Sequence, residues 1–172
     1  SLRVLLISTP HPLEEAPLPP LSLVYLAASL EQHGIDVHIL DFLVTRYTPE
    51  KLRRKLADYR PQLVGVTCVT LNYPRASRIL RTCKAYDPSI TTLIGGPHVT
   101  FALRETLLRS PWIDAIVIGE GERTLVDIAT ALEGGKDFRQ VPGIAYADED
   151  MVVKTEPRPL IQDLDELPMP AR

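Results

Sequence analysis

Short apolar runs alternate with helix-period patterns along most of the chain. Residues 3–8 form the first run, which is continuously apolar from Val4 to Ile7 and is typical of a parallel strand buried on both faces. Similar runs follow at residues 37–40, 63–67, 90–94 and 115–118. Between the first two, apolar side chains recur at helical spacing at Leu23, Leu26, Ala27 and Leu30. The pattern predicts alternating strands and helices.

Start and stop signals bound these helices. Pro20 marks the start of the first helix and Gly34 its left-handed stop, while Thr48 and Pro49 predict an N-cap and a first helical residue for the second, which ends before Pro61. The third helix is predicted over residues 74–86 with Cys83 facing inward. Apolar residues mark the last two helices: Leu103, Leu107 and Leu108 the fourth, and Leu125, Ile128, Ala129 and Leu132 the fifth, which Gly134 and Gly135 close.

Five β–α units of this kind predict an α/β fold. With right-handed crossovers, the expected structure is a flavodoxin-like or Rossmann-like doubly wound sandwich around a five-stranded parallel sheet of order 2-1-3-4-5. After residue 140 the pattern changes to a β-hairpin with an acidic turn at residues 148–150, followed by a proline-containing linker. The predicted domains are therefore 1–140 and 141–172.

Composition narrows the functional classes. Nineteen basic and 22 acidic residues give a formal charge of −3, which does not favour nucleic acid or an anionic membrane as a partner. Two cysteines are too few for a disulfide framework and are not spaced for a metal cluster. No apolar stretch approaches the roughly 18 to 20 residues that span a bilayer. We expect a soluble cytoplasmic protein, trimmed from a longer one because it starts at Ser1 and stops abruptly.

In a doubly wound sheet, ligands bind beyond the carboxyl ends of the strands. The loops at that edge are residues 9–20, which include five prolines, 67–73, 95–100 and 119–122. None has a glycine-rich phosphate-binding pattern, so a nucleotide is disfavoured, as is a glycosyltransferase-like half-domain. A phosphoacceptor receiver domain lacks its acidic pair, its aspartate and its lysine. Small residues at two strand ends, from Thr67 and from Gly95, instead leave room for a bulky ligand.

Three segments together resemble the cobalamin-binding domain of class B radical S-adenosylmethionine enzymes. They are Pro19 to Ala27, Gly95 to Thr100 and Gly119 to Thr124. The resemblance covers nearly the whole chain, and residues 161–168 look like the linker that leads to the radical barrel in that family. It implies cobalamin as the cofactor of this chain. It also implies an iron–sulfur cluster and S-adenosylmethionine in a covalently linked domain, because no cluster-binding cysteine motif is present here.

The resemblance also implies which residues contact the cofactor. These are Thr9, Pro20, Leu21, Thr67, Cys68, Val69, Thr70, Leu71, Asn72, Gly95, Gly96, Pro97, His98, Val99, Gly119, Glu120, Gly121 and Glu122. His11 stands where related folds carry a cobalt-ligating histidine, but the aspartate and glycine of that motif are missing. We therefore expect base-off cobalamin without a protein histidine on cobalt, whose lower side faces residues 69–72. No catalytic residue and no protein metal ligand are predicted.

The expected function is that of a cofactor domain that is not catalytic alone. The whole enzyme is expected to be a methyltransferase or an oxidative cyclase, and the sequence does not choose between them. An alternative of another class is a docking domain of the same fold that has lost cobalamin binding. Of the remaining histidines and cysteines, His33, His38 and Cys83 are expected to be structural, and Glu120 and Glu122 also suit the positive end of the helix that follows.

Overall fold

The computed structural model describes residues 2–8, 21–42, 46–67, 73–95, 103–118 and 121–157. These residues form seven strands, five α-helices and one short 3₁₀-helix at Phe138–Gln140. The strands are β1 (Arg3–Ser8), β2 (Asp36–Asp41), β3 (Leu63–Thr67), β4 (Thr91–Gly95), β5 (Ala115–Val117), β6 (Ile144–Asp148) and β7 (Met151–Lys154). The helices are α1 (Leu21–Gln32), α2 (Pro49–Tyr59), α3 (Tyr73–Tyr86), α4 (Leu103–Arg109) and α5 (Glu122–Glu133).

The described strands form one sheet of order β2-β1-β3-β4-β5-β6-β7. Its first five strands are parallel, so the predicted order 2-1-3-4-5 is confirmed. The predicted hairpin is also present, but it adds antiparallel strands to the same sheet, with Val117 of β5 paired to Ile144 of β6. The sequence did not predict this extension. The division of the chain at residue 140 stays a prediction.

Successive strand residues point to opposite faces and build two hydrophobic cores. Leu5 and Ile7 of β1 belong to the core that α2, α3 and α4 cover. Val4 and Leu6 belong to the core that α1 and α5 cover. All four residues are at most 1% exposed, which is why the first strand reads as a continuous apolar run.

The predicted helix signals act as expected. Thr48 caps α2, since its Oγ1 accepts a hydrogen bond from the Lys51 amide at 3.2 Å, and Pro49 is the first helical residue. Arg60 ends this helix with a left-handed backbone, φ 53°. Gly34 follows α1 at φ 72°, a conformation that glycine adopts without steric cost.

The fourth helix that Leu103, Leu107 and Leu108 mark is present as α4. Leu107 is buried in the core, whereas Leu108 is 39% exposed. The acidic turn of the hairpin is confirmed, with Glu149 at φ 55°. Residues 158–172, which include the predicted linker, lie outside the described residues.

Among the described residues, no helix combines the length and the apolar character that crossing a membrane requires.

Candidate functional site

The carboxyl ends of the parallel strands lie side by side along one edge of the sheet. Their register aligns Asp41, Ser8, Thr67, Gly95 and Val117 in one row across β2, β1, β3, β4 and β5. We call these five residues the carboxyl-edge row. The strand order reverses between β1 and β3, within this row, and open α/β sheets form their ligand sites at such a reversal.

The carboxyl-edge row faces α1 and α5. Leu6 stands two residues before Ser8 and Leu63 four residues before Thr67, and both belong to the core under α1 and α5, as does Val117 itself. Residues an even number of positions apart on a strand share a face. At three of the five positions, Ser8, Thr67 and Gly95, the side chain that faces these two helices at the carboxyl edge is therefore small or absent.

Gly95 is the one residue of this row without a side chain. A β carbon built on Gly95 meets the Val117 Cβ at 3.6 Å and the Val117 carbonyl oxygen at 3.7 Å, and no other atom of the described residues within 4 Å. These are ordinary van der Waals distances. A small side chain would therefore fit at Gly95, whereas a long one would add bulk at the strand end beside Thr67, its register partner.

Ser8 and Asp41 add a polar pair to the same row. Ser8 is 3% exposed, and its Oγ donates a hydrogen bond to Asp41 Oδ1 at 2.6 Å. The sequence interpretation missed both residues. The sequence does show the Ser8 hydroxyl directly after four buried apolar residues. Its partner Asp41 lies on another strand, however, and is identified only when the register of β1 and β2 is known.

The start of α5 is packed tightly against the row. A β carbon on Gly121 would lie 3.3 Å from Val117 Cγ1 and 3.5 Å from Leu26 Cδ2 of α1, so the helix begins closer to the sheet than a larger residue allows. Gly121 is the N-cap of α5 and has no side chain of its own with which to cap this end. The close approach brings the first turn of α5 to the carboxyl edge.

Glu122 occupies that first turn. It precedes Leu125 and Ala129 by three and seven residues, so it lies on the helix face that packs into the core. Its Oε2 atom is buried and has no hydrogen-bond partner among the described residues. A buried carboxylate oxygen without a donor is costly, and this one therefore marks a place where a donor from elsewhere is favoured.

The predicted site residues divide into those the structure describes and those it does not. Thr67 and Gly95 are register partners, and Gly121 packs on Val117, the register partner of Gly95, so these predicted residues come together. Leu21 is the first residue of α1. The predicted contacts of the remaining positions lie outside the described residues and stay predictions: Thr9, Pro20, Cys68, Val69, Thr70, Leu71, Asn72, Gly96, Pro97, His98, Val99, Gly119 and Glu120, together with His11.

Two histidines lie away from the carboxyl-edge row and have partners of their own. The His33 Nδ1 lies 2.8 Å from the Ser29 carbonyl oxygen. The ring of His38 stacks on Tyr59 with centroids 3.8 Å apart, and its Nδ1 lies 2.8 Å from Lys55 Nζ. These contacts agree with the structural roles expected from the sequence.

Cys83 is buried in the core under α3, as predicted. Desolvation raises the pKa of its thiol to about 12, so the group stays protonated and unreactive at neutral pH. Within the part of the chain that the structure describes, no three histidine, cysteine, aspartate or glutamate residues are grouped to hold a metal ion.

Residues 15–129 match the B12 binding domain family. The chain belongs to this family. Among its relatives is an uncharacterized methyltransferase of Pyrococcus horikoshii, 36% identical over 154 residues that make up 89% of this chain and 33% of that protein. Another is the anaerobic magnesium-protoporphyrin IX monomethyl ester cyclase of Rubrivivax gelatinosus, 39% identical over 87% of this chain and 28% of the cyclase.

Solved structures agree with this B12-binding assignment. The radical S-adenosylmethionine methyltransferase TsrM from Kitasatospora setae, with cobalamin and a 4Fe–4S cluster bound, matches at a TM-score of 0.77 with 27% identity. This match covers 100% of the present chain and 31% of TsrM. The cobalamin-dependent enzyme OxsB, at 24% identity and a TM-score of 0.81, shares the fold. The B12-binding domain described here thus spans about a third of the length of such relatives.

The described residues of this B12-binding domain fit cobalamin in two respects. Ser8, Thr67 and Gly95 keep the side-chain volume low at the ends of β1, β3 and β4, beside the strand-order reversal where a large cofactor is expected to approach. The unpaired Oε2 of Glu122 offers an acceptor, and cobalamin carries amide and hydroxyl donors around its corrin ring and along its nucleotide arm. Both features are on the α1 and α5 side of the sheet.

Proposed function

We propose that this chain binds cobalamin base-off, with no histidine of the protein on cobalt, as the cofactor domain of a radical S-adenosylmethionine enzyme. The observation that carries the proposal is the carboxyl-edge row. Small residues stand where a doubly wound sheet places its ligand, next to a buried acceptor that lacks a donor within the described chain. The B12-binding family and the names of the relatives support the same cofactor.

The proposal assigns distinct tasks to the described residues. Thr67 and Gly95 keep the side-chain volume low, so that the cofactor approaches the ends of β3 and β4. Gly121 holds the start of α5 against β5, and Glu122 accepts a hydrogen bond from the cofactor. When bound, cobalamin supplies methyl-carrying or radical chemistry, and this chain supplies its position and surroundings. The chain alone is then expected to catalyse no turnover.

The second part of the proposal concerns the whole enzyme. Relatives about three times as long include methyltransferases and cyclases, which supports a covalently linked domain that holds the iron–sulfur cluster and S-adenosylmethionine. The reaction of the whole enzyme is a methyl transfer or an oxidative ring closure. The cytoplasmic location stays a prediction from the cysteine content.

Cobalamin binding is tested by equilibrium dialysis of the purified protein against hydroxocobalamin, followed by the visible spectrum of the bound fraction. We expect one equivalent bound with the spectrum of the base-off form. Failure to saturate at about 1 mM, where binding is worth only about 4 kcal/mol, would show instead a docking domain of this fold that has lost its cofactor. A bound cofactor with a base-on spectrum would refute the base-off part alone.

The absence of a protein ligand on cobalt has its own test. After reduction to the cobalt(II) form, the electron paramagnetic resonance spectrum shows splitting from a coordinated nitrogen if a histidine or the cofactor's own base occupies the lower position. We expect no such splitting, in the wild type and equally in His11→Ala and His98→Ala. Splitting that disappears in either variant identifies that histidine as a ligand and contradicts the proposal.

A further inference from the structure

The charges of this chain are separated between the two faces of the sheet. Helices α2, α3 and α4 together carry ten basic and three acidic residues, a balance of +7. Helices α1 and α5, on the other face, carry one basic and four acidic residues, a balance of −3. The formal charge of −3 for the whole chain hides this separation. We call the outer surface of α2, α3 and α4 the basic face.

The centre of the basic face is α3. Its fourteen residues include four basic and no acidic side chains. Arg75, Arg78 and Arg81 are exposed and three residues apart, so they follow one another along the helix at about 4.5 Å of rise. Arg54 on the neighbouring α2 is exposed as well. Such a stripe of one sign produces a field that attracts an oppositely charged partner.

Several cations of this face serve the fold, and others do not. Lys84 is held by Asp114, Nζ to Oδ2 at 2.6 Å, and Arg81 stacks on the ring of Trp112 at 4.9 Å. Arg54, Arg75 and Arg78, in contrast, have no ion pair with any described residue. Guanidinium groups suit carboxylates because their planar donors pair with both oxygens. These three are therefore the groups that a partner would meet.

Exposed apolar side chains lie on the same helices. Tyr86 at the end of α3 is 46% exposed, and Leu108 near the end of α4 is 39% exposed. Both helices run antiparallel to the strands, so both side chains lie toward the amino edge of the sheet. Met151, 71% exposed, begins β7, which contacts α4. Together these residues account for three of the four large exposed apolar side chains of the described chain.

We propose that the basic face docks an acidic protein, whose carboxylates pair with Arg75 and Arg78 along α3 and whose apolar groups contact Tyr86 and Leu108 at the amino-edge end of the face. Tyrosine and arginine are both enriched in protein interfaces and among the residues that contribute most to binding. Nucleic acid fits less well, because it offers phosphates rather than apolar groups, and because α1 and α5 repel a polyanion that extends around the domain. The exposed side chains of Tyr86, Leu108 and Met151 offer an apolar surface, which suits contact with a folded protein.

This proposal is independent of cobalamin. The carboxyl-edge row lies under α1 and α5, on the other face of the sheet, so a protein on the basic face leaves the cofactor site accessible. Loss of docking and loss of cobalamin binding are therefore separate outcomes. The same variants are measured in both assays.

The test begins with a photo-reactive amino acid at Arg78 in cells of the source organism, and with the same group at Lys136 after α5 as a control. A protein captured at residue 78 alone is identified, purified and titrated with the wild-type chain and with Arg78→Glu, Arg75→Glu plus Arg78→Glu, and Leu108→Ser. Lys136→Glu is the matched control, since it changes the formal charge by the same two units as Arg78→Glu. A single-stranded oligonucleotide is titrated in parallel.

We expect an acidic protein whose affinity falls about tenfold or more with the double reversal, weakens as salt is raised, and is unchanged in Lys136→Glu. Leu108→Ser should weaken binding without changing its salt dependence. Tighter binding of the oligonucleotide than of any captured protein overturns the proposal. Capture of nothing, of another copy of this chain, or of a protein insensitive to Arg78→Glu also overturns it. All variants should bind hydroxocobalamin as the wild type does.

Discussion

Replacing Glu122 should change apo-protein stability and cobalamin affinity in opposite directions. In the apo protein its Oε2 is buried with no donor among the described residues. An unsatisfied buried polar group costs about 1–3 kcal/mol, so its removal in Glu122→Met should raise the free energy of unfolding of the apo protein by an amount of that order. Glu122→Gln keeps the shape and removes the charge, but it replaces one carboxylate oxygen by an NH2 group and retains one acceptor oxygen. It should give a smaller change of the same sign.

A second effect opposes this gain and must be measured separately. A carboxylate in the first turn of a helix interacts favourably with the helix dipole, by about 0.3–1 kcal/mol when exposed. Glu50 stands in the first turn of α2 and is exposed, so Glu50→Gln measures this effect without the burial. Urea unfolding of the apo proteins should then place Glu122→Gln above Glu50→Gln in stability. The comparison isolates the cost of the unpaired oxygen.

The cofactor should respond in the other direction. A hydrogen bond to a charged acceptor is worth about 1.5–3 kcal/mol, so Glu122→Met should weaken cobalamin binding about 10-fold to 150-fold. Glu50→Gln should leave the affinity unchanged. Titration of cobinamide, which keeps the corrin amides but lacks the nucleotide, shows which part of the cofactor supplies the donor. A variant of Glu122 that is less stable as apo protein and equally tight toward cobalamin would refute the reasoning, because the carboxylate would then be satisfied within the chain.

Three further predictions concern the row, the amino edge and the core. Gly95→Leu should lower cobalamin affinity at least tenfold in the dialysis assay while Gly95→Ala changes it little, because a β carbon at this position meets Val117 only at ordinary contact distance. Asp114→Ala should lower the free energy of unfolding by about 1.5–3 kcal/mol in urea, since Asp114 Oδ2 accepts from Lys84 Nζ at 2.6 Å and from the Thr92 amide at 2.8 Å. The free energy of unfolding should fall as the pH rises from about 9 toward 12, because burial raises the pKa of the Cys83 thiol and the thiol of the unfolded chain ionises first. Cys83→Ala should show a shallower fall of stability over that range, and equal falls in the two proteins would contradict the assignment.

Much of the fold follows from local patterns. The apolar strands, the cap at Thr48 and the stop at Gly34 each depend on neighbours within a few residues, and all are found in the structure. The order of the parallel strands follows from the handedness of their connections. The attachment of the hairpin to β5 was not predictable in this way. It depends on the pairing of Val117 with Ile144, a long-range contact that no local pattern encodes.

The same limit applies to the candidate site and to the basic face. Thr67 and Gly95 were identified because small residues at strand ends are visible in the sequence, but Ser8 and Asp41 were missed because their hydrogen bond joins two strands. The exposure of Leu108 beside the buried Leu107 was likewise not predicted, because both residues belong to the same apolar run. The basic face was hidden for a related reason. A net charge sums over residues, whereas a partner meets only those on one surface.

The start of α5 shows how a departure from local preference can mark a functional position. A serine or aspartate N-cap would satisfy the helix end with its own side chain, yet Gly121 stands there and provides no cap. The packing explains the choice, since a β carbon would press on Val117 at 3.3 Å. The N-cap residue thus gives up a side-chain cap, and the start of the helix, with the buried Oε2 of Glu122, lies against the edge of the sheet. The glycine N-cap and the unpaired Oε2 of Glu122 both lower the stability of the apo protein. Sequences tend to depart from local preferences in this way where a ligand supplies the compensating contact.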